Sequence, residues 1–254
     1  MTLRIHLAGH WSDGDTLVLP PAESRHVQVL RLQPGDTLGL FNGEDDLEWP
    51  AKVVRIGRNA VELRVAAPGR AVERELPRAV TLAVGIPANE RMDGLVEKAT
   101  ELGAAALQPL VCERSVVRLA GERAEARQRH WLAVAASASE QCGRVRVPRI
   151  AVPTRLDVWL RALDAPLAPG GRWLLSLADS ARRPAALDGP ARADDPAGLL
   201  VLSGPEGGLA PEEEAAAMRH GFVPVSLGPR TLRADTAPLA LLAWLGLADW
   251  SRRE

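Results

Sequence analysis

Beyond residue 78 the sequence alternates two patterns that together admit one kind of fold. Ala79-Val-Thr-Leu-Ala-Val-Gly85 is a continuous apolar run, of the kind a strand buried on both faces requires. Met92, Leu95, Val96, Ala99 and Leu102 then recur at helical spacing, and Gly103 ends the stripe. Leu107 to Val111 predicts a second strand, and Glu122 to Gln141 a second helix with Trp131, Leu132, Ala135 and Ala138 on one face. Trp173-Leu-Leu-Ser-Leu177 and Gly198-Leu-Leu-Val-Leu202 read as further buried strands. Pro211 to His220 reads as a helix, with proline near its first position and three glutamates in its first turn. Pro224 to Leu227 is a strand and Ala237 to Ser251 a closing helix. Strands alternating with helices imply a mostly parallel α/β sheet.

The first 72 residues follow another rule. Thr16 to Pro20, Asp36 to Phe41, Trp49 to Ile56 and Ala60 to Val65 are short and β-rich. Turn signals at Gln33-Pro-Gly-Asp36, Asn42-Gly43 and Gly57-Arg-Asn59 separate them, and Glu23 to Leu32 reads as a short helix. This spacing suggests a small barrel. Pro, Gly and charged residues cluster between Pro68 and Pro77, as in a linker. The expected division is residues 1–72 and 73–254.

Composition removes several classes. With 31 basic and 32 acidic residues the formal net charge is -1, so nucleic acid would be met by local patches and not by a global basic field. Residues 111–149, with 8 Arg against 4 Glu, form such a patch; residues 1–72 carry 8 basic and 9 acidic side chains. Tyr is absent and Phe occurs twice, too few for a base-stacking platform. Cys112 and Cys142 make neither a disulfide framework nor a zinc spacing, so no metal is expected. No apolar run is long enough for a membrane span, and Met1 to His10 lacks the apolar core of a signal peptide, so a cytoplasmic location is expected.

Two loops follow apolar strands, where open α/β sheets bind ligands. Ser203-Gly-Pro-Glu-Gly-Gly208 contains three glycines and an acid but no base. It matches neither the phosphate-loop nor the dinucleotide glycine pattern. It suits either a tight structural turn or a neutral or cationic ligand. Leu227-Gly-Pro-Arg-Thr-Leu-Arg-Ala-Asp-Thr-Ala237 packs two arginines and an acid between a strand and a helix, with Thr236 placed to cap that helix.

These two loops resemble the signature of the bacterial 16S rRNA (uracil-N3)-methyltransferases, the ribosomal RNA small subunit methyltransferase E family. Glu90 to Gly103, Glu113-Arg-Ser-Val116, Glu140 to Arg144, and Arg25-His26 with Val29 to Leu32 resemble other stretches of that family, in order along nearly the whole chain. Departures are Ala234-Asp235 for the family's Thr-Glu, and Ala88-Asn89 for its Lys-Gly. The resemblance implies an N-terminal PUA-like β-barrel, then an α/β domain of the SPOUT superfamily with a C-terminal trefoil knot. It implies a homodimer with S-adenosylmethionine as cofactor and 16S rRNA of the small ribosomal subunit as partner.

On this basis Leu177, Leu202, Gly204, Glu206, Gly207, Gly208, Leu227, Gly228, Leu232 and Thr236 are the cofactor-site candidates. The cofactor has a sulfonium and no phosphate, which suits a glycine loop carrying an acid. The reaction implied is methyl transfer to uracil N3, which must lose its proton. Glu206 and Asp235 are candidate bases, and Arg233 is the candidate for stabilising the uracil anion; an Arg–carboxylate pair within the loop is the other reading of Arg233. N3 lies on the pairing edge, so the uracil must be unpaired or turned out. Arg4, Arg25, Arg31, Arg114, Arg118 and Arg144 are candidate RNA contacts. The competing readings are a SPOUT enzyme acting on another RNA and a non-catalytic RNA-binding assembly factor.

Overall fold

A computed structural model describes residues 3–88, 91–163, 171–187 and 198–250. The chain divides into two compact units: Met1–Glu75 with Ala136–Val147, and Leu76–Ala135 with Pro148–Glu254.

The first unit contains β1 (Arg4–His6), β2 (Thr16–Val18), α1 (Pro21–Val29), β3 (Thr37–Phe41), β4 (Leu47–Ile56), β5 (Val61–Val65) and β6 (Arg70–Ala71). The strand order is β1-β3-β4-β5-β2, with β6 on β4. β1 runs parallel to β3, and the other pairs are antiparallel. On β5, Val61, Leu63 and Val65 are buried while Glu62 and Arg64 point away, the period-2 alternation of a sheet with one wet face. These valines and the leucine pack with Ile5, Leu19, Leu38, Leu40 and Val53 in one cluster.

Proline is tolerated at the start of α1 because the first N–H of a helix has no intrahelical partner. Buried Ser24 anchors the helix: its hydroxyl donates to the Leu19 carbonyl (2.9 Å) and accepts from the Val61 N–H (3.1 Å). The helix ends with Arg31 N–H on the Gln28 carbonyl (3.0 Å) and Leu32 N–H on the Val27 carbonyl (3.3 Å). This closure puts Arg31 at φ 58°, in the left-handed region where glycine is usual.

Two features of this unit differ from expectation. The stretch 68–77 is held: Arg70 and Ala71 pair with β4, and Glu75 pairs with Arg144. β1, three residues long, is too short for its strand character to stand out in sequence; it forms where it pairs with β3.

The second unit contains β7 (Val80–Gly85), α2 (Arg91–Glu101), β8 (Ala106–Val111), α3 (Gly121–Cys142, its last turns counting with the first unit), β9 (Arg149–Ile150) and β10 (Thr154–Arg155). It continues with α4 (Leu156–Ala162), β11 (Arg172–Leu175), a 3-10 turn (Pro184–Ala186), β12 (Leu199–Ser203), α5 (Pro211–Arg219), β13 (Val223–Val225) and α6 (Thr236–Trp250). The order is β10-β8-β7-β12-β11-β13 with β9 on β8, and every pairing is parallel. α6 packs against α2, β7 and β12, and α4 against α5.

The apolar stripe of α2 is buried as its spacing predicts: Met92, Leu95, Val96 and Ala99 are all sealed from solvent. On α3, Trp131, Ala135 and Ala138 are buried, but Leu132 is exposed. α4 is a helix the periodicity did not announce, because seven residues span too few turns for a stripe. Much of the sequence-predicted loop 178–196, and Asn89 of the Ala88-Asn89 departure, lie outside the described residues. Among the described residues no helix is long and apolar enough to cross a membrane.

Candidate active site

Three neighbouring parallel strands end level with one another. Register pairs Leu174 with Leu202 and Leu175 with Val225, so Leu175, Ser203 and Val225 form one row at the carboxyl edge of β11, β12 and β13. The loops that leave this row enclose a cavity of about 560 Å³. Its walls are 175–177 after β11, 203–209 after β12, and 225–237 after β13.

The glycine loop after β12 is folded tightly on itself. The Gly208 N–H donates to the Pro205 carbonyl (2.8 Å), and Gly208 takes φ +68°. A Cβ on Gly204 would stand 2.8 Å from the Leu209 nitrogen, so no side chain fits there. Gly207 is held from the other side, where Arg114 donates to its carbonyl (3.0 Å). Gly228, at φ +115°, turns the chain after β13.

Charge is placed unevenly around the cavity. Glu206 Oε1 accepts from the Ala88 N–H (2.9 Å) and from Arg91 Nη1 (3.3 Å). Glu214, on the first turn of α5, is a second carboxylate in the wall. The amino end of α5 is already filled: Glu213 accepts from the Ala210 N–H (2.9 Å) and reaches the Glu113 N–H with its other oxygen (2.8 Å). Three glutamates in that turn repel the phosphate a helix amino end otherwise attracts. Arg230 and Arg233 also line the cavity, and among the described residues neither has an ion-pair partner. Cys112, just behind at the end of β8, is no nucleophile: burial pushes its thiol up to about 12, and the nearby Glu213 charge adds to the shift.

The sequence candidates are distributed as follows. Leu177, Gly204, Glu206, Gly207, Gly208, Leu227, Gly228, Leu232 and Arg233 meet in the cavity wall, with Arg114. Leu202 sits in the core of β12, fully buried. Thr236 is the first residue of α6 and does not precede it as a cap; its N–H donates to the Arg233 carbonyl (3.0 Å). Asp235 stands outside the wall, and its Oδ1 is sealed from solvent without a hydrogen-bond partner among the described residues. The carboxylate pair considered for Arg233 does not form among the described residues.

The RNA candidates separate sharply. Arg25, Arg31, Arg114 and Arg118 are exposed. Arg4 is committed inside the first unit: it pairs with Glu48 (2.5 Å) and donates to the carbonyls of Ser139, Glu140 and Arg144. Arg144 is buried and paired with Glu75 through two nitrogens. These two arginines are internal ties, their donors committed to carbonyls and carboxylates of the first unit. Sequence reasoning also passed over Ser176, Ser203 and Glu214 in the wall, and Arg91 beside Glu206. A serine ending an apolar strand was the one available signal for the first two.

The two folds and this cavity define a protein class. The RNA methyltransferase domain family matches residues 74–246, and the RNA methyltransferase PUA domain family matches residues 19–66. Ribosomal RNA small subunit methyltransferase E of Bacillus subtilis is 30% identical over 236 residues, covering 91% of this chain and 90% of that protein. The same-named protein of Synechocystis is 32% identical over 231 residues, covering 90% of this chain and 72% of that one. The chain belongs to the ribosomal RNA small subunit methyltransferase E family. A Neisseria gonorrhoeae member, solved bound to S-adenosyl methionine, superposes with a TM-score of 0.87 at 31% identity over 98% of each chain. A Legionella pneumophila structure in complex with SAM gives the same TM-score at 35% identity, again over 98% of each chain.

Proposed function

We propose that the protein transfers a methyl group from S-adenosylmethionine to N3 of a uridine in 16S rRNA of the small ribosomal subunit. The observation that carries this is the cavity at the carboxyl edge of β11, β12 and β13. It is walled by backbone-rich glycine loops and two carboxylates, and its helix amino end is closed to phosphate. Those features suit a ligand with an adenosine, an amino acid and a positive sulfonium. The family relatives solved with that cofactor support the same reading.

The cofactor supplies the electrophilic methyl group. The chain would hold it through the loops 203–209 and 226–232, with Leu177 at the rim. Leu202 would act from behind, as the core residue on which Ser203 and the glycine loop stand. Arg233, in the wall and without an ion-pair partner among the described residues, is placed to stabilise negative charge developing on the uracil ring. Glu206 lies in the same wall and is the carboxylate better placed to take the N3 proton. Asp235 is better read as supporting the loop at the start of α6, together with Thr236.

The finer features belong to the same reading. The N-terminal sheet would close as a PUA-like barrel that carries RNA through Arg25 and Arg31. The C-terminal segment would form a SPOUT-type trefoil knot. In support of the knot, the stretch after β11 runs beside β13: the Arg182 N–H donates to the Pro224 carbonyl, and the Ser226 N–H to the Arg182 carbonyl (both 2.9 Å). The active form would be a cytoplasmic homodimer acting on the assembled small subunit.

The test is primer extension across small-subunit rRNA after incubating unmethylated subunits with the protein, with and without S-adenosylmethionine. A cofactor-dependent stop at one uridine is expected, because N3 methylation blocks pairing. No stop with intact cofactor binding would move the substrate to another RNA. No stop and no binding would leave the assembly-factor reading.

A further inference from the structure

A second cavity, of about 680 Å³, lies within the first unit. Its walls come from β1, the end of α1 and the turn after it, the start of β3, and the last turns of α3. Leu3, Leu30 and Leu32 give it apolar sides, and His26, Glu140 and Gln141 stand among its polar groups. The methyl-transfer reading makes no use of it.

Three observations point to a ligand. Glu140 Oε1 accepts from the His6 N–H (2.9 Å), while Oε2 has no partner among the described residues. Burial pushes this carboxyl up; the nearby His26 and His6 oppose the shift and Glu23 adds to it. A carboxylate that is costly to keep charged gains from added N–H donors. Second, Arg31, between Leu30 and Leu32 of the wall, holds a left-handed backbone, the kind of local strain that clusters at functional positions. Third, exposed Arg25 and Arg31 have no ion-pair partner among the described residues, and Val29 and Leu30 beside them are 70% and 50% exposed.

We propose that this cavity binds an unpaired guanine of the substrate RNA, an inference that rests on the RNA-methylation reading. Guanine presents N1–H and an exocyclic N–H side by side on its pairing edge, two donors for one carboxylate. Uracil presents one N–H between two acceptors. Glu140 reads that edge and the leucines cover the ring faces, while Arg25 and Arg31, exposed outside the wall, meet the flanking phosphates.

The test uses the whole protein with its first cavity saturated by S-adenosylhomocysteine, titrated calorimetrically with GMP, AMP, CMP and UMP. GMP should bind roughly tenfold more tightly than UMP. Glu140→Gln should erase that preference, since an amide offers guanine a donor where it needs an acceptor. His26→Ala, at an exposed position, should weaken GMP several-fold with an unchanged melting temperature. Equal affinity for the four nucleotides would overturn the proposal, as would a GMP preference that survives Glu140→Gln. If GMP is selected but no RNA is methylated, the methyl-transfer reading fails and the guanine site stands; methylation without guanine preference is the reverse case.

Discussion

Gly85, the last residue of β7, lies against Pro205 of the glycine loop so closely that a Cβ on Gly85 would stand 2.4 Å from the Pro205 nitrogen. The contact is backbone to backbone, with no flexible side chain to move aside. It sets the height of the 203–209 loop above the sheet edge, and with it the floor of the cavity. Gly85→Ala should therefore cost about 1–3 kcal/mol through overpacking. S-adenosylmethionine affinity should fall at least tenfold, read by calorimetry beside a denaturant curve. Unchanged affinity would show that this contact does not position the loop.

Arg233 behaves differently, because among the described residues no carboxylate pairs with its charge. Arg233→Ala should leave melting temperature and cofactor affinity unchanged while lowering kcat by about 10²–10³, the usual loss for one anion-stabilising donor. Arg233→Lys should restore part of the rate. Single-turnover methylation of small subunits measures it, and full activity in the alanine variant would remove the assigned role.

Arg144 is the opposite case. Truncating it leaves Glu75 partly buried without its partner, and Arg144→Ala should destabilise the protein by about 3 kcal/mol. Glu75 is 23% exposed, which places the cost at the lower end for buried pairs. Urea unfolding gives the number, and a loss of RNA binding without loss of stability would contradict the structural role.

Arg31→Gly should raise stability by about 1 kcal/mol, because glycine takes the left-handed conformation without the Cβ penalty. The same change should weaken small-subunit binding and flatten its salt dependence by about one phosphate contact. A stabilised protein that binds subunits normally at several salt concentrations would show that the arginine is not used.

The Cys112 thiol sets an alkaline limit. Its folded pKa, about 12, lies above the ordinary value of 9.0, so the folded state keeps a proton that the unfolded chain loses. Below pH 9 both states are protonated and nothing changes. Between about 9 and 12 stability falls as pH rises, with a slope approaching about 1.4 kcal/mol per unit from this one group. Cys112→Ala should reduce that slope, measured by denaturation from pH 8.5 to 10.5. In the native protein Cys112 should also resist thiol reagents that modify half-buried Cys142.

Much of this architecture was legible because it rests on local pattern. The run 79–85 and the stripe from Met92 to Ala99 read as a buried strand and a helix with one buried face, and both are. Val61, Leu63 and Val65 announced a one-faced strand in the same way. Short elements such as β1 and α4 were not legible, since three or seven residues carry too little periodicity. Arg4 and Arg144 depart from the sequence expectation for a related reason. Arg4 and Arg31 look alike in sequence, and only tertiary contacts decide that the first is spent on three carbonyls and a carboxylate while the second is exposed, with no ion-pair partner among the described residues.

The candidate site divides along the same line. Sequence alone determined that two glycine-bearing loops follow apolar strands, and that they carry acids and arginines without a phosphate pattern. That information is local, encoded in residue types a few positions apart. Only the tertiary structure decided that β12 lies beside β11, with β13 on its far side, so that Leu175, Ser203 and Val225 end in one row. It also decided that Arg233 lines the cavity, without an ion-pair partner among the described residues, while Asp235 stays outside the wall. Strand order and the direction of a side chain follow from long-range packing, which no window of neighbouring residues contains.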